Sequence, residues 1–357
     1  MPVGTASEPG ERATPQSGGV EPDGRGFGSQ AARVGRRLLT VREGSVIVIT
    51  VVVAAYFAAT TDAFLSWENF KTLLPYFAPF AILAAGEVFL MINGEIDLSI
   101  GAVYLFAPFI FHEFAEGTGL PLMPALLLAL LMCVLVGLVN GLFTAVVGIN
   151  SFITTLGMLL ALQGFTLIIS DAQPVQTPGT DVLGEASAFS RTFGGGTYSE
   201  LIWALAIVIV LQLVLSYSRW GIYTVAVGSN RIAAAEAGIK VRLVIIRNFV
   251  LCAVCAGLVG VLEAVRTTSV QPDPAGANEV LFGGIAAAVI GGTLLAGGSG
   301  TVVGGLIGAL LLGILNDGLI IKGVNADYLS FYLGLAIIIA MAANTYVGRV
   351  RRGEAGA

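Results

Sequence analysis

Apolar runs alternate with short polar segments along the chain from residue 45 to residue 346. A helix needs about 20 predominantly apolar residues to cross the hydrocarbon layer of a bilayer, and ten runs approach or reach that length. The pattern therefore predicts an all-α, polytopic membrane protein with about ten transmembrane helices. The predicted helices occupy residues 45–64, 73–92, 98–114, 122–147, 151–170, 200–218, 246–266, 281–296, 301–320 and 328–346. The third and eighth are short, so we expect them to be bent or broken.

The two ends of the chain differ from this apolar region. Residues 1–44 begin with a stretch rich in Gly, Pro, Ser, Glu and Arg and poor in large apolar residues, a composition typical of disordered segments. Basic residues precede the first run, as they do in a secretory signal peptide, whose apolar core spans about 7–15 residues. The longer run found here favours a membrane anchor. We predict a disordered tail at 1–44 and a second short tail at 347–357, both cytoplasmic.

The distribution of basic residues predicts the orientation of the helices. Lys and Arg accumulate on the cytoplasmic side of membrane proteins. With the N-terminus inside and ten crossings, twelve Lys and Arg from Arg33 onward fall on the cytoplasmic side and four fall on the opposite side. This asymmetry supports an even number of crossings and cytoplasmic termini, with the transmembrane domain at 45–346.

Composition narrows the possible functions. The chain has 357 residues, of which 56% are hydrophobic and only 11% are charged, whereas soluble domains carry about 25% charged residues. The sequence shows no motif for nucleotide phosphates, nucleophilic hydrolysis or metal ligation. We therefore predict no cofactor and no metal, and an enzyme that acts within the membrane stays an alternative without positive support in the sequence. Cys252 and Cys255 form a C-x-x-C pair inside a predicted helix, and we interpret them as small packing residues rather than a redox or metal pair.

The polar segment 219–245, predicted to be cytoplasmic, contains a short helix that is too weakly apolar to cross a membrane. Asn230 offers an N-cap, the alanine-rich residues 231–237 follow, and Gly238 offers a C-cap. A plain connector is the simpler interpretation, but connectors usually have about 4–6 residues and need no capped helix. We therefore favour a functional role for this segment over a plain connector; the resemblance described below implies that residues 219–245 are a coupling loop.

Carboxylates lie inside or beside the apolar runs, where each costs about 2.5–3.5 kcal/mol to insert. Glu87 falls within the second predicted helix, and Glu95 and Asp97 lie between the second and the third. Such groups usually face an aqueous path or pair with a partner, and the flanking glycines allow the backbone to break and line a cavity. Alternatively, Glu95 and Asp97 form a cytoplasmic turn in which Asp97 or Ser99 caps the next helix.

Glycines crowd the eighth and ninth predicted helices. Gly300, Gly304 and Gly308 fall at G-x-x-x-G spacing, which lets helix backbones approach closely within a membrane. The spacing predicts tight helix packing, either within one chain or between two copies.

Five segments in a fixed order resemble the permease family of sugar-type ABC importers, which includes the ribose and xylose permeases. Residues 94–101 (GEIDLSIG) are similar to that family's G-G-I-D-L-S-V-G, and residues 150–157 (NSFITTLG) are similar to its P-x-F-I-V-T-L-G. The other similar segments are 226–239 (AVGSNRIAAAEAGI), 286–293 (AAAVIGGT) and 315–319 (LNDGL). Glu95, Asn150 and Asp317 depart from the usual Gly, Pro and Asn, and these departures bear on the identity of the solute.

The resemblance implies partners and a mechanism in the bacterial plasma membrane. Two permease subunits, identical or paralogous, would form one path between them for a monosaccharide or a similar small polar solute. A separate cytoplasmic ABC ATPase would hydrolyse ATP and grip the capped helix, and an extracytoplasmic solute-binding protein would deliver the solute. The path residues would be Asp97, Ser99, Asn150, Ser151, Thr154, Asn316 and Asp317. The ATPase-coupling residues would be Asn230, Arg231, Ala235, Glu236, Gly238 and Ile239.

Two alternatives stay open at this point. Permeases that resemble this chain also carry nucleosides or polyols, so the resemblance does not name the solute. The carboxylates Glu87, Glu95 and Asp97 would also suit a secondary carrier driven by H⁺ or Na⁺, because such a carrier uses an acidic group within the membrane.

Overall fold

The computed structural model describes residues 43–178 and 188–351. Most of the predicted tail at 1–44 and the end of the tail predicted at 347–357 lie outside these residues. The last helix continues to Arg351, past its predicted end at residue 346.

The described chain is built almost entirely of helices. The α-helices are α1 (Gly44–Thr60), α2 (Trp67–Ile92), α3 (Ile100–His112), α4 (Leu122–Leu142), α5 (Ser151–Ile169), α6 (Ala188–Thr192), α7 (Ser199–Tyr217), α8 (Arg219–Ser229), α9 (Arg231–Glu236), α10 (Val241–Thr267), α11 (Pro274–Ile290), α12 (Val302–Ile321) and α13 (Ala326–Arg351). Two π-helical turns, π1 (Glu113–Gly117) and π2 (Phe143–Val147), extend α3 and α4. The strands β1 (Val175–Gln176) and β2 (Ser269–Val270) form an antiparallel pair.

The all-α fold class is confirmed, and each of the ten predicted membrane helices overlaps a helix in the structure. Six helices within the described ranges are long and apolar enough to cross a membrane: α2, α4 with π2, α5, α7, α10 and α12. The helices α1 and α11 and the central part of α13 are apolar but shorter, and α3 has 13 residues before its π turn. A count of ten crossings therefore stays a prediction.

The boundaries predicted for the eighth helix are wrong. The apolar run suggested 281–296, whereas α11 begins at Pro274 and ends at Ile290. The Asp273 side chain accepts hydrogen bonds from the backbone N–H groups of Ala275 and Gly276, at 2.9 and 3.1 Å, and so caps the helix inside a polar stretch. At the other end, Gly292 has a φ of +91°, which the right-handed helix cannot accommodate.

The helix α2 lies at the centre of the bundle. It packs against α7, α10, α11 and α12, and its second half, from Ala78 to Ile92, contains a long run of fully buried side chains. The helices α4, α5 and α7 form the periphery and expose large apolar side chains such as Leu127, Leu160 and Ile209. Soluble monomers rarely expose apolar surface of this extent, so these outward faces suit contact with lipid or with another membrane subunit.

The glycine-rich region packs within the chain. A Cβ at Gly304 would overlap the backbone of Gly291, and a Cβ at Gly308 would overlap the carbonyl of Ala287. The G-x-x-x-G spacing therefore serves the contact between α11 and α12 in this chain, because only hydrogen at these positions allows the two backbones to approach so closely.

The polar connections gather at two opposite ends of the bundle. At one end, β1 pairs with β2, and His112 Nδ1 lies 2.9 Å from the carbonyl oxygen of Gln176. At the other end, the N–H of Gly298 donates to the carbonyl of Ile92 at 2.7 Å. We call the first end the β end and the second the hinge end. Connections alternate between the two ends along the chain, as a series of membrane crossings requires.

Candidate translocation path and coupling helix

The segment that joins α2 to α3, residues 93–99, is buried at the hinge end. Asn93, Asp97 and Ser99 are each at most 2% exposed. Gly94 has a φ of +73° and lets the chain turn sharply after α2, beside the backbone of Ala296. The 93–99 segment therefore places several polar groups inside the helix bundle rather than in solvent.

Asp97 begins α3 through its side chain. Its Oδ1 accepts hydrogen bonds from the backbone N–H and the hydroxyl of Ser99, at 2.8 and 2.6 Å. The Asn140 amide, on α4, donates to the Ser99 hydroxyl at 2.8 Å and lies 3.4 Å from Asp97 Oδ2. Of the two caps that the sequence suggested, Asp97 accepts a backbone N–H, that of Ser99 just before the helix, and the Ser99 side chain caps no N–H of α3. Asn140 was not among the predicted path residues, although its place in an apolar run was a signal.

The helix α5 holds the other side of the 93–99 segment. The Thr155 hydroxyl accepts the N–H of Leu98 at 3.0 Å, and the Ser151 hydroxyl lies 3.4 Å from the N–H of Ile96. Asn150 is exposed and caps α5 by accepting the N–H of Phe152. Thr154 is half-buried, and its hydroxyl has no hydrogen-bond partner among the described residues. Five of the seven predicted path residues therefore lie at the hinge end.

The other two predicted path residues lie at the β end. Asp317, on α12, is buried and accepts a hydrogen bond of 2.8 Å from the Asn69 amide near the start of α2. Asn316 beside it is half-buried. Along α2, Asn69 and Asn93 are separated by about 36 Å at 1.5 Å per residue. The seven residues therefore form two groups at opposite ends of the bundle, and one chain alone does not bring them together.

The predicted coupling helix is present as α9. Asn230 Oδ1 accepts the N–H groups of Ile232 and Ala233, both at 3.0 Å, and Gly238 has a φ of +82° and ends the segment. The predicted coupling residues Asn230, Arg231, Ala235, Glu236 and Gly238 are exposed, and Ile239 is half-buried. Ile232 is 73% exposed and was missed by the sequence analysis. An exposed apolar side chain on a capped polar helix suits contact with another protein.

Arg231 joins α9 to the 93–99 segment. Its Nη2 lies 2.6 Å from Glu95 Oε1 and donates to the carbonyl oxygen of Asn93 at 2.8 Å. Neither contact was predicted, because the residues are 136 and 138 positions apart.

Asn93 is held in turn by a second buried polar cluster. Its amide donates to the carbonyl of Thr224 at 2.7 Å, and its Oδ1 accepts a hydrogen bond from the Asn248 amide on α10. The Trp220 indole donates to Asn248 Oδ1 at 2.7 Å. The base of the coupling loop is therefore fastened to the end of α2 by side chains that the sequence analysis did not single out.

Glu87 lies in the fully buried half of α2. The Cys252 thiol is 3.4 Å from Glu87 Oε1, and Glu87 Oε2 has no hydrogen-bond partner among the described residues. Cys252 and Cys255 are free thiols. One cysteine of the C-x-x-C pair thus contacts a buried carboxylate 165 positions away, a contact that no local sequence pattern predicts.

A cavity of about 410 Å³ opens at the β end between α3, α10 and α11. Tyr104, Glu263, Gln271 and Asp273 supply its polar lining. Glu263 forms an ion pair with Arg266 at the edge of this cavity. Its volume falls within the range of about 300–1,000 Å³ that is usual for small-molecule sites.

The sequence is similar to known permeases. The family model for the permease component of branched-chain amino acid transport systems matches residues 69–341. The chain is 37% identical to the xylose/arabinose import permease protein of Sulfolobus acidocaldarius, over 86% of each chain. It is 32% identical to the ribose import permease protein of Escherichia coli, over 86% of this chain and 96% of that protein. It is 29% identical to the D-allose transport system permease protein of Escherichia coli, over 86% and 92%.

No solved structure matches the chain. The family model covers most of the apolar region and two of these relatives exceed 30% identity over nearly their whole length. The chain therefore belongs to the family of multi-pass permease components of ABC importers, to which the ribose and xylose import permeases also belong.

Proposed function

We propose that this chain is the membrane-spanning permease subunit of an importer that moves a monosaccharide into the cell. The relatives named above are import permeases for xylose/arabinose and for ribose, and a transport system permease for D-allose. The observation that carries the proposal is α9, a capped, exposed helix that is joined to the buried 93–99 segment. A permease that is driven by a separate ATPase needs a surface element that contacts this ATPase, because the permease itself does not hydrolyse ATP.

The hinge end is the cytoplasmic end in this proposal, and both termini lie there. The support is the excess of Lys and Arg in the segments that meet at this end, including Arg219, Arg231 and Lys240. With ten crossings, the β end then faces the outside. The cavity lined by Tyr104 and Gln271 would open toward the solute-binding protein, which delivers the solute there.

The cytoplasmic ATPase would contact α9 and the residues that cap it. Asn230, Ala235, Glu236, Gly238 and Ile239 are the proposed contacts, with the exposed Ile232 added to them. Arg231 is proposed as a coupling residue whose guanidinium points away from the ATPase toward Glu95.

A second permease subunit would complete the path. Asp97, Ser99, Asn150, Ser151 and Thr154 would act at its inner end, and Asn316 and Asp317 would act at its outer end. The support is their separation along the bundle, together with the apolar outward faces of α4, α5 and α7, which offer surface for a second membrane subunit.

Two variants at α9 test the coupling proposal in proteoliposomes that contain the permease, its ATPase and its loaded binding protein. Glu236→Lys reverses a charge on the exposed face of α9, and Gly238→Val strains a backbone at positive φ. We expect ATP hydrolysis to continue while solute uptake per ATP falls. Glu68→Lys, an exposed position at the β end, is the matched control. An unchanged ratio of uptake to hydrolysis in both α9 variants would contradict the proposal.

An ion-coupled carrier is the second candidate, and the buried Glu87 favours it because one of its carboxylate oxygens has no hydrogen-bond partner among the described residues. Vesicles that hold ATP but have collapsed H⁺ and Na⁺ gradients separate the two mechanisms. The ATP-driven permease takes up solute under these conditions, whereas the carrier does not.

A further inference from the structure

We infer that the Arg231–Glu95 ion pair is the link that transmits the movement of α9 to the buried polar groups at the start of α3. The inference rests on the proposed function, since it assumes that an ATPase moves α9. In this inference, the side chains of Arg231 and Glu95 transmit the movement of the surface helix to the interior of the bundle.

The contacts of Arg231 support a link rather than a surface pair. Arg231 is the first residue of α9, so its backbone moves with the helix. Its guanidinium holds both the carboxylate of Glu95, at 2.6 Å, and the carbonyl oxygen of Asn93, at 2.8 Å. Both contacts are made by the one nitrogen Nη2, so a single guanidinium group joins α9 to a side chain and a backbone group of the 93–99 segment. Within the ranges that the structure describes, this is the ion pair that connects α9 to a membrane-embedded element.

The 93–99 segment is also held by hydrogen bonds at its other end, residues 97–99. Two residues beyond Glu95, Asp97 binds the N–H and hydroxyl of Ser99, and Ser99 receives the Asn140 amide. The Leu98 N–H is bonded to Thr155. A displacement at Glu95 therefore reaches α3, α4 and α5 through short, buried contacts, and packed interiors pass on such a displacement instead of absorbing it.

The burial of the two partners is unequal, and this makes a specific prediction. Glu95 is 9% exposed, whereas the Arg231 side chain is 47% exposed. Removal of Arg231 leaves a carboxylate in the interior without its counter-charge, which is the costlier loss. Removal of the Glu95 charge leaves an arginine that can reach solvent. Arg231→Gln also removes the bond to the carbonyl oxygen of Asn93, which Glu95→Gln keeps, so it should impair coupling more than Glu95→Gln.

The link also distinguishes this chain within the segment that resembles the sugar permeases. The usual glycine at the position of Glu95 has no carboxylate and could not hold Arg231.

The test uses the complete transporter in proteoliposomes and measures solute moved per ATP hydrolysed. For Arg231→Gln we expect a fall of about tenfold, within the range of typical coupling free energies, and a smaller fall for Glu95→Gln. The exchanged pair, Glu95→Arg with Arg231→Glu, should recover a large part of the loss. Lys71→Gln is the matched control, since it breaks an exposed ion pair of 3.0 Å with Glu68 at the β end.

The remaining outcomes separate the inference from the proposed function. Normal coupling in both single variants, or an exchanged pair that is no better than Arg231→Gln, overturns the link. Loss of the ATPase subunit on purification of Arg231→Gln also overturns it, because Arg231 would then serve docking. If Arg231→Gln does not accumulate in the membrane, Glu95→Gln and the exchanged pair decide the question. Uptake by the unaltered transporter that does not require ATP refutes the proposed function instead.

Discussion

Gly228 shows how much a single side-chain atom matters where elements meet at the hinge end. It lies near the end of α8, where a Cβ would overlap the carbonyl oxygen of Ile92 and approach the N–H of Gly298 to 2.9 Å. The Ile92 carbonyl accepts the hydrogen bond from Gly298 at this point. Three separate connections therefore meet within one contact that only glycine permits.

Gly228→Ala is expected to reduce the amount of folded permease. The added methyl group meets backbone atoms, which cannot rotate away, so we expect a loss of about 2 kcal/mol or more in the free energy of unfolding. Thermal unfolding of the detergent-extracted protein measures it. Gly157→Ala is the control, because no atom lies within 4 Å of a Cβ at that helical position. Equal stability of the two variants would refute this account of the contact.

Asp97 offers a second test at the residue scale. Asp97→Ala removes the acceptor for the backbone N–H of Ser99. It also removes a carboxylate acceptor that lies 3.5 Å from the Asn140 amide nitrogen. Unmet buried donors cost about 1–3 kcal/mol each, so the midpoint of thermal unfolding should fall. Asp97→Asn keeps one carbonyl acceptor, so it should lower the midpoint less. Asp62→Ala, at an exposed position, should leave the midpoint unchanged. A loss no greater in Asp97→Ala than in Asp62→Ala would contradict the buried role.

Among the elements, α9 and α11 mark what the sequence could and could not predict. The ends of α9 were predicted correctly, because Asn230 and Gly238 are local signals that act within a few residues. The start of α11 was missed, because the apolar run begins later than the helix and the Asp273–Pro274 cap lies in a polar stretch. Pairings such as Arg231 with Glu95 depend on tertiary packing across more than a hundred residues, and no local pattern encodes them.

The cap of α9 should matter more than an equivalent cap on a long helix. Asn230→Ala removes two hydrogen bonds from a helix of 6 residues, at a cost of about 0.5–2 kcal/mol. We expect hydrogen exchange to rise across all of residues 231–236. In the matched variant Asn150→Ala, α5 has 19 residues, so exchange should rise only in its first turn. Protection of α9 that survives Asn230→Ala would show that packing holds the helix.

For the whole molecule, the connections lie at two ends, so the orientation is decided by which end faces the cytoplasm. The sequence predicted the alternation from apolar runs and the direction from basic residues. The predicted crossings also separate Asp97 from Asp317, but the sequence could not predict their partners, because Asn140 and Asn69 reach them only through tertiary packing.

Cysteine labelling in intact cells decides the orientation. Gln271→Cys places a thiol in the cavity at the β end, and Glu236→Cys places one on α9, both at exposed positions. We expect a membrane-impermeant thiol reagent to modify the first in intact cells and the second only after permeabilisation. The unaltered protein is the control, since its three cysteines are buried. The reverse pattern would put α9 outside, beyond the reach of a cytoplasmic ATPase.

The central position of α2 has a consequence for how the protein is made. This helix is 72% buried across its most apolar window and carries Pro75, Pro79 and Glu87, so it gains little from contact with lipid. Its main cover includes α10, which begins about 150 residues later, roughly ten seconds or more of synthesis. A newly inserted α2 must therefore be sheltered by the insertion machinery until that cover arrives. Substitutions in α2 are accordingly expected to limit the yield of the protein during biogenesis before they affect the finished transporter.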